Sequence, residues 1–421
     1  MTSAEIRRGW CAVLCLHVTT FLWVGNIKGL GVMLPTLTEQ FTAQTWLMGW
    51  MVSIVAGVVC LTGPLASPLE SIFGTRAVIM ASGFAVGASF IAASFATNVA
   101  QITIVLALGC GSGLSFTNIL SRAMMGRCFT SKYAIAVGIG HAGSPLGLII
   151  MAPLVQVFLD TYGWRGTMLL MGGINLNIAV CGALLSQPSK ESHEVKYTPV
   201  PSSVEECNTK PRGVCLEETM ITIKNRSGIS VCSKLSFWIP TFIFIFNGTT
   251  GVLWFAYFID HVLAKGFTAY DAVLFTTVGG LSNVVIKILS GPIIDRRILS
   301  VRVALVIYIL ASSACLLVDP WMNSYWLMMV NVFIFYGSLG TVGALVDILT
   351  RELLGPELLA SAFSWMKFVS GIAFFCFGFF PGWIYDTVGS YDVAFVIMGL
   401  TPALSLVALL VERLRPTDKS N

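Results

Sequence analysis

Apolar runs of about twenty residues, broken by short polar segments, repeat along nearly the whole chain. A run of roughly 17 to 25 apolar residues is what a helix needs to cross a bilayer. The pattern predicts spans at 9–34, 46–68, 77–97, 100–121, 134–158, 166–186, 236–260, 268–291, 301–318, 325–347, 361–384 and 391–411. They fall into two sets of six. The expected organisation is an N-terminal six-helix half over 1–186 and a C-terminal half over 234–421 with a short tail. The intervening 187–233 is rich in Ser, Pro, Lys and Glu. It lacks the apolar surface to fold alone and reads as a mostly disordered linker.

Composition sharpens the class. Of 421 residues, 56% are hydrophobic and 11% charged, whereas a soluble chain carries roughly 25% charged residues. The expected fold is an all-α membrane protein of twelve transmembrane helices. The N-terminus, MTSAEIRRGW, turns apolar too quickly for a cleaved signal peptide. Twenty of the 25 basic residues, among them Arg122 and Arg351, fall in segments that lie on one side if the N-terminus is cytoplasmic. Only Arg165 and Lys265 fall on the other side. That bias predicts both termini in the cytoplasm. The net charge of +4 is thus a topology signal and implies no nucleic-acid partner. The eleven cysteines show no CxxC or His-flanked spacing and read as packing residues, so neither a metal nor a cofactor is implied.

Chemistry is sparse. The stretch Gly9–Thr38 carries a single charge, Lys28. An ammonium at membrane depth costs about 2.5 to 3.5 kcal/mol on insertion scales. Lys28 is therefore read as a cation lining a transport path, the alternative being a lysine that snorkels to the interface. Lys287 and Asn283 share a face of the eighth span, with a reach from Lys287 to Asp295 as the alternative. Asp347, near the inner end of the tenth span, is a site candidate or an i,i+4 partner of Arg351. His141, on a glycine-rich face of the fifth span, is a proton carrier or a hydrogen-bonded structural histidine. Lys367 reads as an inner-interface anchor. A substrate carboxylate and a proton sharing such a site would stabilise each other. The glycines in GCGSG at 109–113 and in GIGHAGSPLG at 138–147 suit close helix packing in lipid, and AGSPLG suits a helix that bends. The sequon at Asn247 lies inside the seventh span and that at Asn225 in the linker, so neither is expected to be glycosylated.

Three stretches carry a family likeness: KYAIAVGIGHAGSPLG at Lys132–Gly147, YGWRGTMLLMGGINLNIAVCGALL at Tyr162–Leu185 and GWIYDTVGSYDVAF at Gly382–Phe395. Through them the chain resembles the monocarboxylate transporter family of the major facilitator superfamily, over nearly its full length apart from the linker. The first span retains only Gly9 and Trp10 of the family's opening signature. Counted from that pair, Lys28 falls where proton-coupled members carry an essential lysine. The resemblance implies proton-linked symport of a small monocarboxylate by rocking of two halves about a midplane site, at the plasma membrane. Some members also require a single-span accessory glycoprotein. Proton-coupled members carry an Asp and, four residues later, an Arg in the eighth span, where this chain has Asn283 and Lys287. Lysine keeps the charge but not the planar fork that grips a carboxylate at two points. Asp347 takes a position that is usually apolar or aromatic, and it is a candidate for replacing the lost carboxylate or for meeting the cationic end of a zwitterion. The resemblance thus leaves a second expectation open: a proton-independent carrier of amino-acid-like substrates such as aromatic amino acids or creatine. A transporter-like receptor is a third. An enzyme finds no support, for the chain shows neither paired catalytic carboxylates nor a nucleophile with its base.

Overall fold

The structure, a computed structural model, describes residues 3–41, 54–129, 132–185, 228–377 and 380–414. Most of the expected linker lies outside the described residues. So does the sequon at Asn225. The described residues are helices joined by short turns, without strands. Lipid offers no partner for backbone amides, and helices satisfy their own.

The spans are α1 (Ser3–Gln40), α2 (Ile54–Phe73), α3 (Thr75–Ala93), α4 (Val99–Cys128), α5 and α6, α7 (Leu235–Ala264), α8 (Ala269–Asp295), α9 (Val301–Val318), α10 (Tyr325–Leu354), α11 (Leu359–Tyr385) and α12 (Asp392–Leu414). Helices α5 (133–162) and α6 (164–184) form one 52-residue helical run, Tyr133–Leu184. The run folds back at Gly163, whose φ of 66° and ψ of 178° suit only glycine comfortably. Local chemistry sets other ends. Asn98 caps α4 through Gln101 N, Thr268 and Asp271 form a capping box on α8, and Ser300 caps α9. Gly355, at φ 78°, ends α10.

Several helices outrun the hydropathy pattern. The fourth was expected to stop at 121 and the tenth at 347, yet they reach Cys128 and Leu354. A charge ends an apolar window, but a helix continues until its backbone is stopped. Arg122 and Asp347 consequently sit inside the bundle, about two turns from the helix ends. The inner side denotes the end at which α1 begins.

Each half has its own core. One buried cluster draws only on residues between Leu22 and Ile178, and another only on residues between Leu253 and Met398. The second is built on aromatic stacking: Trp254 lies 4.3 Å from Phe258 and 5.3 Å from Tyr336, centroid to centroid. A third cluster mixes the halves, joining Met125, Tyr133 and Val137 to Leu345, Phe363 and Met366. The glycine-rich faces are packing surfaces. A Cβ on Gly143 or Gly147 of α5 would fall within 2.1 or 2.2 Å of a backbone oxygen of α1. Helix α5 also loses its regular pattern at Ala142, and Pro145 has no N–H to donate to the carbonyl of His141.

Candidate substrate site between the halves

Lys28 stands about three turns before the end of α1. Its Nζ lies 5.8 Å from the centroid of the Phe255 ring on α7. The ammonium therefore points across the molecule into the other half. No carboxylate among the described residues pairs with it. A cation over an aromatic face is worth about 0.5 to 2 kcal/mol, which offsets only part of the cost of leaving water. The helix around it is held rigidly. Asn26 and Asn175 exchange two amide hydrogen bonds of 2.8 and 3.0 Å, fixing α1 to α6.

Asp347 is fully buried and binds two side chains from the other half, an arginine and a histidine. Arg122 of α4, 4% exposed, donates through Nε to Oδ2 at 2.7 Å and through Nη2 to Oδ1. His141 Nε2 donates to Oδ2 at 2.8 Å. This geometry corrects one expectation and bears on two others. Arg122 is not in a polar segment beyond the membrane but inside α4. Asp347 does not pair with Arg351, which instead donates to Phe129 O and lies over the Tyr133 ring at 4.3 Å. His141 is hydrogen-bonded to a carboxylate, an arrangement open to a structural histidine and to a proton carrier alike. A two-point arginine–carboxylate contact is the strongest pairing side chains offer.

Lys287 is 5% exposed and within electrostatic reach of both Asp347 and His141. It does not reach down to Asp295, whose carboxylate accepts from the N–H groups of Ala134 and Ile135 at 3.1 and 2.9 Å. Asn283, 2% exposed, donates to Tyr336 O at 3.0 Å, and its Oδ1 has no partner. It is pressed against Gly340, where a Cβ would come within 1.9 Å of the amide. The structure thus places Lys287 and Asp347 in one electrostatic cluster with His141, Asn283 against α10, and Lys28 facing α7. Lys367 is not an interface anchor. It is 7% exposed, with Nζ 4.0 Å from the Trp23 ring centroid and 3.5 Å from Asn118 Oδ1.

Contacts between the halves concentrate at the inner side. Asp295 caps the start of α5 across the divide, Ser67 and Ser361 share a hydrogen bond of 3.0 Å, and Arg351 holds the end of α4. Helices α5 and α8 approach so closely that a Cβ on Gly138 would lie 2.7 Å from Lys287 O. Above this seal there is room. A Cβ on Gly343, one turn before Asp347, or on Gly31, just beyond Lys28, would meet nothing within 4 Å. Such an arrangement, shut on the inner side, is one of the states of an alternating carrier.

Sequence reasoning put Arg122 and Lys367 at the inner boundary instead of the seam, and missed a further cluster within the C-terminal half. There Asp319 accepts from His261 Nε2 at 2.5 Å, from Asn331 Nδ2 at 3.1 Å and from Lys265 Nζ at 3.3 Å. The apolar Ala123–Met124–Met125–Gly126 stretch after Arg122 was the available sign that α4 continues.

Comparisons with known proteins agree with this architecture. Residues 16–375 match the family model described as Major Facilitator Superfamily. Monocarboxylate transporter 12 of Mus musculus is 26% identical over 97% of this chain and 87% of its own length. Monocarboxylate transporter 14 of Homo sapiens is 25% identical over 96% and 90%, and monocarboxylate transporter 1 of Rattus norvegicus 25% over 84% and 74%. The proton:xylose symporter XylE, solved with 6-bromo-6-deoxy-D-glucose, superposes with a TM-score of 0.71 at 14% identity, covering 97% of this chain and 96% of that one. That last likeness concerns the fold alone. A multi-pass bundle whose Lys28 faces across its two halves without a carboxylate partner among the described residues, matched along nearly its whole length by monocarboxylate transporters, is a secondary transporter, and the chain belongs to the Major Facilitator Superfamily.

Proposed function

We propose that this chain carries small organic anions across the plasma membrane by alternating access, with both termini cytoplasmic and 187–233 as the linker between its halves. One observation carries the reading: the Lys28 ammonium crosses to Phe255 and finds no carboxylate partner among the described residues. An anion entering from the outer side supplies that partner. Lys287 adds positive potential deeper in the path. The two halves rock about the site, and the inner contacts part as it opens.

Proton coupling is assigned to the Arg122–His141–Asp347 cluster, where a histidine and a carboxylate share a hydrogen bond at the seam. Lys28, whose charge the substrate would offset, is the other proton-coupling candidate. Asn283 is a neutral amide committed to Tyr336 O and carries no proton. That favours, as the second reading, proton-independent movement of amino-acid-like substrates such as creatine. The occupation of both Asp347 oxygens by Arg122 and His141 counts against its meeting the ammonium of a zwitterion, and so for the anion.

The test is uptake into proteoliposomes of labelled lactate, pyruvate, creatine and aromatic amino acids, with and without an inward proton gradient. Acid-stimulated accumulation of a monocarboxylate is the expected result. Gradient-independent uptake of creatine or an amino acid selects the second reading, and binding without accumulation indicates a receptor.

A further inference from the structure

The seam between the halves carries more positive charge than one carboxylate needs. Arg122, Lys287, Lys28 and Lys367 are buried or half-buried there, and among the described residues Asp347 is the carboxylate that faces them. Both of its oxygens are occupied, by Arg122 and His141. Among the described residues Lys28 and Lys367 are left without a carboxylate partner, and Arg122 adds its own positive charge beside Lys367.

Lys367 is the more deeply enclosed. An ammonium has three donors, yet among the described residues the Lys367 ammonium has one amide oxygen at 3.5 Å and one indole face at 4.0 Å, with the neutral Cys60 thiol nearby. Neutral partners of that quality compensate poorly for a buried charge. Its position is informative. Lys367 belongs to α11 and reaches Trp23 of α1, while Lys28 of the same α1 reaches Phe255 of α7. Both contacts cross from one half to the other, so both ammoniums face the same divide. Trp23 and Lys28 are about 7.5 Å apart along the helix axis. Open space adjoins the Lys28 end of this arrangement, at Gly31.

We propose that Lys367, with Asn118 and the Trp23 ring, is a second anion subsite opposite Lys28, and that the carrier prefers short-chain dicarboxylates to monocarboxylates. One carboxylate pairs with Lys28 and the other with Lys367. The carbon chain between them lies against Trp23 and Phe255. The proposal rests on the carrier reading above and narrows its substrate class. Binding both ends at once draws α1 and α11 together, which couples occupancy to the approach of the halves.

The experiment compares labelled succinate with labelled butyrate, two acids of four carbons, in proteoliposomes containing the full chain. Wild-type protein is expected to take up succinate with a kcat/KM at least tenfold above that for butyrate. Lys367→Gln is expected to lower that ratio at least tenfold, and Lys367→Arg to restore most of it. A ratio is independent of how much protein inserts. Equal or better uptake of butyrate by the wild type overturns the proposal and leaves the carrier reading standing. An unchanged ratio in Lys367→Gln also overturns it. If that variant does not fold, the wild-type ratio decides alone. Uptake of neither acid, and of no other organic anion, overturns the carrier reading and the subsite with it.

Discussion

At the scale of single residues, the molecule is governed by how its few buried charges find partners. Lys28 has an aromatic ring where another lysine would have a carboxylate. Lys28→Ala is therefore expected to abolish uptake while leaving the amount of folded protein unchanged, measured by fluorescence-detected size exclusion beside transport. Asp347 is the opposite case. Asp347→Asn leaves Arg122 as an uncompensated buried cation, expected to cost about 3–5 kcal/mol of stability. Thermal unfolding in detergent checks this, and Arg122→Met combined with Asp347→Leu is expected to recover most of the loss. Lys28, His141 and Asp347 were legible in the sequence because a polar residue in an apolar run is visible without a structure. Their partners were not. Arg122 and Asp347 are 225 positions apart, and a span that was ended at its first charge put Arg122 on the wrong side of the boundary.

At the scale of elements, helix ends and glycine faces do the positioning. Helices α5 and α8 touch backbone to backbone, with Lys287 O at the place a Gly138 side chain would occupy. Gly138→Leu is expected to hold the inner side open, so that a cysteine-directed reagent reaches the seam from that side in more molecules than in wild type. Asp295 supplies the acceptors that the first amides of α5 lack, from a helix in the other half. The small-residue stretches and the bend near Pro145 could be anticipated, since each follows from local chemistry. That an aspartate ending one helix would cap another, 160 residues away, depends on the assembled bundle, and no local pattern encodes it.

For the whole molecule, the inner side is sealed by contacts that join the halves, and they must part when that side opens. Ser67 and Ser361 lie at this seal with their hydroxyls 3.0 Å apart. Replacing both by cysteine and oxidising is expected to lock the carrier and stop uptake, with recovery on addition of reductant, whereas either single replacement leaves uptake responsive. The division into two sets of six helices was readable from hydropathy alone, because the spacing of apolar runs is a property of the whole chain. Which ends meet was not, for that depends on the state in which the bundle rests.

The arginine fork on Asp347 has a kinetic consequence. Its two members belong to opposite halves, so every complete cycle separates them in surroundings that screen charge poorly and then brings them together again. The parting is the step most exposed to heat. Turnover in this carrier should climb more steeply with temperature than binding does, and a variant in which the fork is replaced by apolar side chains should lose that steepness before it loses its shape.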